Sequence, residues 1–340
     1  YTFGGVFYEN AESYLLNNEQ GYSAYVGILS YRSQWQSDDL DVVRTLKKSL
    51  NARGIGVICA FSSGTPDEEN GCLSMEQAIE RFFCTAGRPR IALLINFMIF
   101  GMTNTDGANL YERAAEVFKR LDIPVIRPVQ SNYLTNEKWI ASPAPFLQDA
   151  ALNFDMPEMQ GMIEPVFVSG AENRRAHIAV EERVDRLSDR IAGWINLRRK
   201  KNQDKKIAII LNNAVCSGVE ATLGKATGLN AFESIVSFLR RLKDLAYETG
   251  KVPENGAELR GMFLDKKAHS DFRWTSAEDI LASGGALYEM TAEEYGNMYA
   301  ALSPKASDGI EAVWGSLPGS AMVVKGKIII TGLRFGNVLL

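Results

Sequence analysis

The chain is poor in the residues that most often build metal and nucleophile sites: its 340 residues hold four cysteines and two histidines. Cys59, Cys72, Cys84 and Cys216 show no C-x-x-C spacing, so neither a zinc site nor a redox pair is indicated. His177 and His269 lie far apart with no carboxylate or cysteine beside either. They read as surface or hydrogen-bonded histidines, and no metal ligands are assigned. There is no G-x-G-x-x-G and no G-x-x-x-x-G-K-[ST], which leaves no signal for a dinucleotide or an ATP phosphate. A net charge of −4 provides no basic field for nucleic acid or anionic lipid. Apolar runs such as 91–100 are too short to span a bilayer, so no transmembrane segment is expected. Unpatterned thiols without a signal sequence fit a reducing compartment, and the expected location is cytoplasmic.

What is present suits two ordinary domains: 46% of the residues are hydrophobic, enough for two cores. Strands at 25–30, 55–61, 91–96 and 124–127 alternate with helices at 38–53, 75–83 and 110–121. That alternation predicts right-handed crossovers and a parallel sheet. The sequence therefore predicts an α/β fold of two Rossmann-like, parallel-sheet units with connecting helices. Residues 1–135 form the first α/β domain, 136–205 a connector with a Pro/Glu loop and a long amphipathic helix, and 206–340 a second α/β domain. In the connector, Val180, Val184, Leu187, Ile191, Trp194 and Leu197 draw one apolar stripe. A strand over 206–211 and a helix opened by Asn230-x-x-Glu233 start the second unit. The chain opens on Tyr1 and stops at Leu340 inside an apolar run, which suggests a fragment whose second domain is truncated at its C-terminal end.

Candidate site residues fall in three places. Tyr31-Arg-Ser-Gln-Trp35 is expected as a loop at the carboxyl end of the first strand, the edge where α/β sheets bind ligands, so Arg32 and Trp35 are candidates. Met156-Pro-Glu-Met-Gln-Gly-Met-Ile-Glu-Pro165 brackets Glu158 and Glu164 with prolines. The segment is expected not to be helical throughout, holding both carboxylates on constrained backbone rather than on a solvated helix face, as suits acid/base work or metal handling; the alternative is a pair of surface glutamates in a connector. The tail combines Trp314-Gly-x-x-Pro-Gly319, an apolar strand over 322–330, and Gly332-Leu-Arg-Phe-Gly-Asn337, where glycines let backbone approach a ligand. Those glycines equally serve a plain hairpin.

Trp314-Gly-x-x-Pro-Gly319 followed by Gly332-x-x-Phe-Gly-Asn-Val338 resembles a segment of the large subunits of cobaltochelatase and magnesium chelatase (CobN and H-subunit type). Val26-Gly-Ile-Leu with Tyr31-Arg-Ser-x-Trp35, Pro157 to Pro165, Arg183-Val-Asp-Arg186 and Gly228-Leu-Asn-Ala-Phe-Glu-Ser234 are similar to other segments of that family, in the same order. Two departures stand out: Asn212-Asn-Ala-Val-Cys216 replaces a Tyr-x-x-Pro-Pro-type loop, and Gln160 replaces an acidic residue.

The resemblance implies a fragment that binds a tetrapyrrole while a divalent metal, Co or Mg, is inserted as substrate into a corrin or porphyrin. ATP is used by partner ATPase chelatase subunits and is not bound here. Glu158 and Glu164 then become candidate catalytic carboxylates; Arg32, Trp35, Arg334, Phe335 and Asn337 become candidate tetrapyrrole-binding residues. Two alternatives stay open: a relative acting in reverse on haem to remove iron, and a non-catalytic α/β binding module.

Overall fold

A computed structural model describes residues 1–18, 21–64, 66–67, 69–98, 110–172, 176–212, 222–269 and 275–340. The chain divides into two compact units, Tyr1–Arg199 and Lys200–Leu340.

The first unit is built on four parallel strands: β1 (Ala24–Tyr31), β2 (Ile55–Ser62), β3 (Leu93–Asn96) and β4 (Val125–Ile126), in the order β2-β1-β3-β4. β1 and β2 are almost wholly buried because helices cover both faces of the sheet, as continuous apolar strands require. One face packs on α2 (Asp41–Ala52) through Val42, Val43, Leu46 and Leu50. The other packs on α3 (Met75–Phe83) and α4 (Leu110–Leu121). Ser74 starts α3 with a capping box shared with Gln77, which satisfies two backbone N–H groups that the helix leaves open. Gly27 in β1 leaves room for the Phe83 ring: a Cβ there would stand 2.8 Å from it.

The predicted strands and helices of this half are all present within a few residues of their expected bounds. The loop expected at 31–35 is different. It coils at once into a short helix, α1 (Arg32–Gln36), because the Gln34 side chain accepts from the Tyr31 N–H at 3.3 Å and closes the first turn.

Of the residues expected to act as a connector, 136–199 fall in the first compact unit and 200–205 in the second. A second small sheet joins β5 (Val129–Gln130), β6 (Phe167–Glu172) and β7 (Ala176–Ala179). The long helix α7 (Glu181–Arg199) then buries Val184, Leu187, Ile191 and Ile195 in the same core as α2. The segment 156–165 is not helical throughout, as expected, but its first four residues are helical and carry Glu158. Helix α5 (Leu147–Ala150) runs through a π turn, Ala151–Asp155, into α6 (Met156–Met159). Pro157 comes just after the π turn, and Asp155 ahead of it keeps helical dihedrals (φ −63°, ψ −51°), so the chain stays helical through the proline.

The second unit packs α8 (Ala231–Asp244) against α9 (Gly256–Asp265) over a core of Ile235, Leu239, Leu259 and Phe263. Asn230 caps α8 through the Glu233 N–H, as its sequence position predicts. The strand expected over 206–211 shortens to β8 (Ile207–Ala208), and Ile210 is 94% exposed. β8 runs parallel to β13 (Val338–Leu339), which forms a hairpin with β12 (Arg334–Phe335). A separate antiparallel sheet joins β9 (Ala286–Met290), β10 (Val323–Val324) and β11 (Lys327–Thr331) in the order β9-β11-β10. Among the described residues, then, the parallel sheet of this unit is one short strand pair.

The single strand expected over 322–330 is the β10–β11 hairpin. Lys325 and Gly326 both take positive φ, 50° and 76°, which is the backbone a two-residue hairpin turn needs.

Candidate functional site

The carboxyl edge of the first sheet is where the chain gathers groups able to hold a ligand. β1 and β2 end side by side, Tyr31 pairing with Ser62, and the residues that follow each strand wall a cavity of about 400 Å³. One side is aromatic. The Trp35 ring lies 4.5 Å from Phe7 and 5.8 Å from Phe61, centroid to centroid. Tilted and edge-on contacts of this kind hold rings rigidly and leave apolar faces for a flat partner. The other side is polar. Arg32 donates from Nη1 to Cys72 Sγ at 2.5 Å, and Arg81 donates from Nε to the Glu9 carbonyl at 2.7 Å. Ser62 spends its hydroxyl on the Leu73 carbonyl at 2.8 Å, which fixes the loop rather than a ligand. The cavity thus joins flat apolar surface to two guanidinium groups.

Of the candidate residues, Arg32 and Trp35 come together in this cavity. Arg334, Phe335 and Asn337 belong to the second unit. Arg334 is exposed, whereas Phe335 is 4% exposed and packs in the core with Leu333 and Val338, so it cannot cover a ring face. Asn337 closes the hairpin: its Nδ2 donates to the Gln203 carbonyl at 2.9 Å and its backbone N–H to the Glu248 carbonyl at 2.8 Å. Gly336 is required by that turn, since a Cβ would stand 2.5 Å from the Glu248 oxygen at a φ of +56°. The glycines of this segment serve backbone packing.

Neither candidate carboxylate lines the cavity. Glu158 is exposed on α6, on a helix rather than on a constrained loop. Glu164 has a φ of +59° and a side chain only 12% exposed. It accepts from Arg190 Nε at 2.5 Å and Nη2 at 2.7 Å, and from Trp194 Nε1 at 2.9 Å. Arg190 foremost, then Trp194, holds its carboxyl below the usual range against the opposing effect of burial. A carboxylate so stabilised in its charged form is a poor proton acceptor, and Glu164 ties the connecting segment to α7.

His177 has the carboxylate partner that its sequence neighbours lack. Nδ1 lies 2.7 Å from Asp39 Oδ2, while the His177 backbone N–H donates to Asp39 Oδ1 at 2.8 Å. Among the described residues, no group of three or more His, Cys, Asp or Glu side chains is placed to hold a metal ion.

Sequence reasoning missed a buried polar network at the same edge. Arg127 directly follows β4 and is 2% exposed. Its Nη1 donates to the carbonyl of Asn96, the last residue of β3, at 3.2 Å, and its Nη2 to Asn153 Oδ1 at 3.0 Å. Asn153 sits in the π turn and donates to Asp149 Oδ1 at 3.1 Å; Ser131 donates to Asp149 Oδ2 at 2.6 Å. Burial pushes the Arg127 guanidinium down to about 10 and the Asp149 carboxyl up. The available signal was an arginine placed immediately after a buried strand, Val125-Ile-Arg127.

A parallel sheet of order β2-β1-β3-β4 with a cavity over its carboxyl edge defines the class: an α/β protein with a cavity at the edge where such sheets bind small molecules. The sequence pattern of the family described as CobN/Magnesium Chelatase matches residues 4–340, and the chain belongs to that family. It is 36% identical over 349 residues to an uncharacterized protein of Methanocaldococcus jannaschii, covering 99% of this chain and 28% of that protein. It is 24% identical over 322 residues to the chloroplastic magnesium-chelatase subunit ChlH of Oryza sativa subsp. indica, covering 93% of this chain and 21% of that subunit. The aerobic cobaltochelatase subunit CobN of Pseudomonas aeruginosa is 24% identical over 328 residues, with 92% of this chain and 24% of that subunit covered. In structure, the catalytic subunit of cobaltochelatase from Mycobacterium tuberculosis superposes with a TM-score of 0.69 at 20% identity, over 95% of this chain and 26% of that one. The chain spans about a quarter of the length of these relatives.

Proposed function

We propose that this chain is the tetrapyrrole-holding part of a metallochelatase large subunit. The observation that carries the reading is the cavity at the carboxyl edge, where Trp35, Phe7 and Phe61 face a space that Arg32 also enters. A macrocycle needs flat apolar contact for its ring and cations for its peripheral carboxylates. A cavity of about 400 Å³ lies in the range of small-molecule sites. Arg32 can present its planar fork to one carboxylate. Cobalt or magnesium enters as substrate, and ATP is consumed by partner subunits.

Insertion of a divalent ion removes two pyrrole N–H protons, so a base or an ion-steering carboxylate is required. Glu164 is committed to Arg190, which leaves Glu158, exposed on α6 and outside the cavity lining, as the candidate. Losing one positioned base costs about 10²–10⁴-fold in rate. Glu158→Gln in the full-length protein with its partner subunits is expected to show a loss of that order in turnover with little change in macrocycle affinity. Near-normal turnover would return Glu158 to an ordinary surface residue.

Absorbance titration with a free-base porphyrin tests the reading itself. A saturable shift of the ring's absorption band, weakened by Trp35→Ala and by Arg32→Ala, is the expected result. No saturable shift in the full-length protein would leave a non-catalytic α/β binding module.

A further inference from the structure

Arg127 is a buried cation short of partners. Among the described residues no carboxylate lies within ion-pairing distance of it, and its Nε, sealed from solvent, has no hydrogen-bond partner. The nearest acid in its network, Asp149, is reached only through the Asn153 amide. Burying a charge without a counter-charge is costly, and buried polar groups are normally satisfied. The π turn that delivers Asn153 is itself a backbone irregularity of a kind often found at functional sites.

The position matters as much as the missing partner. The chain runs from β1 out to β2 and then returns to the far side of β1 at β3, so the sheet's switch point lies between the carboxyl ends of β1 and β3. Arg127 reaches that point by donating to Asn96 at the end of β3. Tyr31, half-buried, ends β1 on the near side of that point. The next residue, Arg32, enters the aromatic cavity. Arg127 does not itself line that cavity; neighbouring strands lie about 5 Å apart, and the end of β3, where Arg127 is held, is one strand beyond β1.

We infer that Arg127 receives a carboxylate of the ligand bound at this edge and so selects a ring bearing acidic side chains, approached past Tyr31. The inference rests on the tetrapyrrole reading above. It assigns to a buried arginine the recognition that Arg32 and Arg81 at the cavity would otherwise supply.

The test compares two probes on the full-length protein: a free-base porphyrin dicarboxylic acid and its dimethyl ester, which keeps the ring and removes the charge. Wild type is expected to prefer the acid by roughly 10- to 100-fold, the range of one charged hydrogen-bonded contact. Arg127→Met is expected to bring the two affinities within about threefold by weakening the acid while the ester binds as before. A loss of both probes together, or an acid preference kept intact in Arg127→Met, would show that the arginine acts only in packing and overturn the inference. If Arg127→Met does not fold, Arg127→Lys is read by the same ratio: an acid preference reduced by at least about threefold supports the inference, since Lys keeps the charge without the fork, and an unchanged one overturns it. Wild type that binds neither probe rejects the tetrapyrrole reading itself, and with it this inference.

Discussion

Glu164 shows what a residue's partners decide. Its type and its proline-flanked position mark a candidate base, but Arg190, 26 residues away, turns it into a structural anion. Because the folded carboxyl titrates below its unfolded value, the pair's contribution is complete above about pH 4.3, the ordinary glutamate value, and is lost as pH falls through the lowered folded value. Arg190 is half-exposed, so solvent screens the pair and its worth is about 1 kcal/mol. Glu164→Gln is therefore expected to lower the urea midpoint at pH 7 and to match wild type in acid below the folded value. Equal midpoints at both pH values would remove the ion pair from the stability account. The same distance problem hid His177–Asp39 and Arg127–Asn153 from sequence reasoning. Arg32 and Trp35 were legible because their site follows from where a parallel strand ends, a local fact; Phe335 was misplaced because nothing local separates a core aromatic from a ligand-facing one.

At the scale of elements, period was the reliable guide. α7 shows its stripe in sequence because a helix repeats every 3.6 residues, and the stripe ends where the covering core ends: Leu187 is fully buried, Leu197 44% exposed. Leu187→Ala is expected to cost about 2–5 kcal/mol in denaturant unfolding of the first unit, against less than about 0.5 kcal/mol for Leu197→Ala. Similar losses from both would mean that the outer end of α7 is covered as well. The short strands were less legible. β10 and β11 read as one apolar run because Lys325-Gly326 is not one of the strong turn dipeptides, and its positive φ angles come from the hairpin's twist. That the Pro157 segment is not helical throughout was legible from its prolines and glycine; its helical start was not, because Pro157 comes just after a π turn that no residue pattern announces.

For the molecule as a whole, the division at Arg199 assigns the cavity, the Arg127 network and α7 to one compact unit. Residues 1–199 made alone are expected to unfold in a single cooperative urea transition and to keep the porphyrin titration of the longer protein. A non-cooperative transition would show that the first unit draws stability from beyond Arg199. Strand–helix alternation made the first sheet legible from sequence, whereas the β8–β13 and β9–β11 pairings of the second unit were not, since they join segments far apart in the chain. That separation has a consequence for synthesis. Ile207 finds its strand partner in Val338, roughly 130 residues later, and the core around Leu239 is closed by Phe335, Val338 and Leu340. At a ribosomal pace of about 5–20 residues per second, β8 waits on the order of ten seconds for its neighbour. The first unit is already complete when that wait begins, so a nascent chain passes through a stage with one finished domain and one exposed apolar segment, the interval in which a chaperone has something to hold.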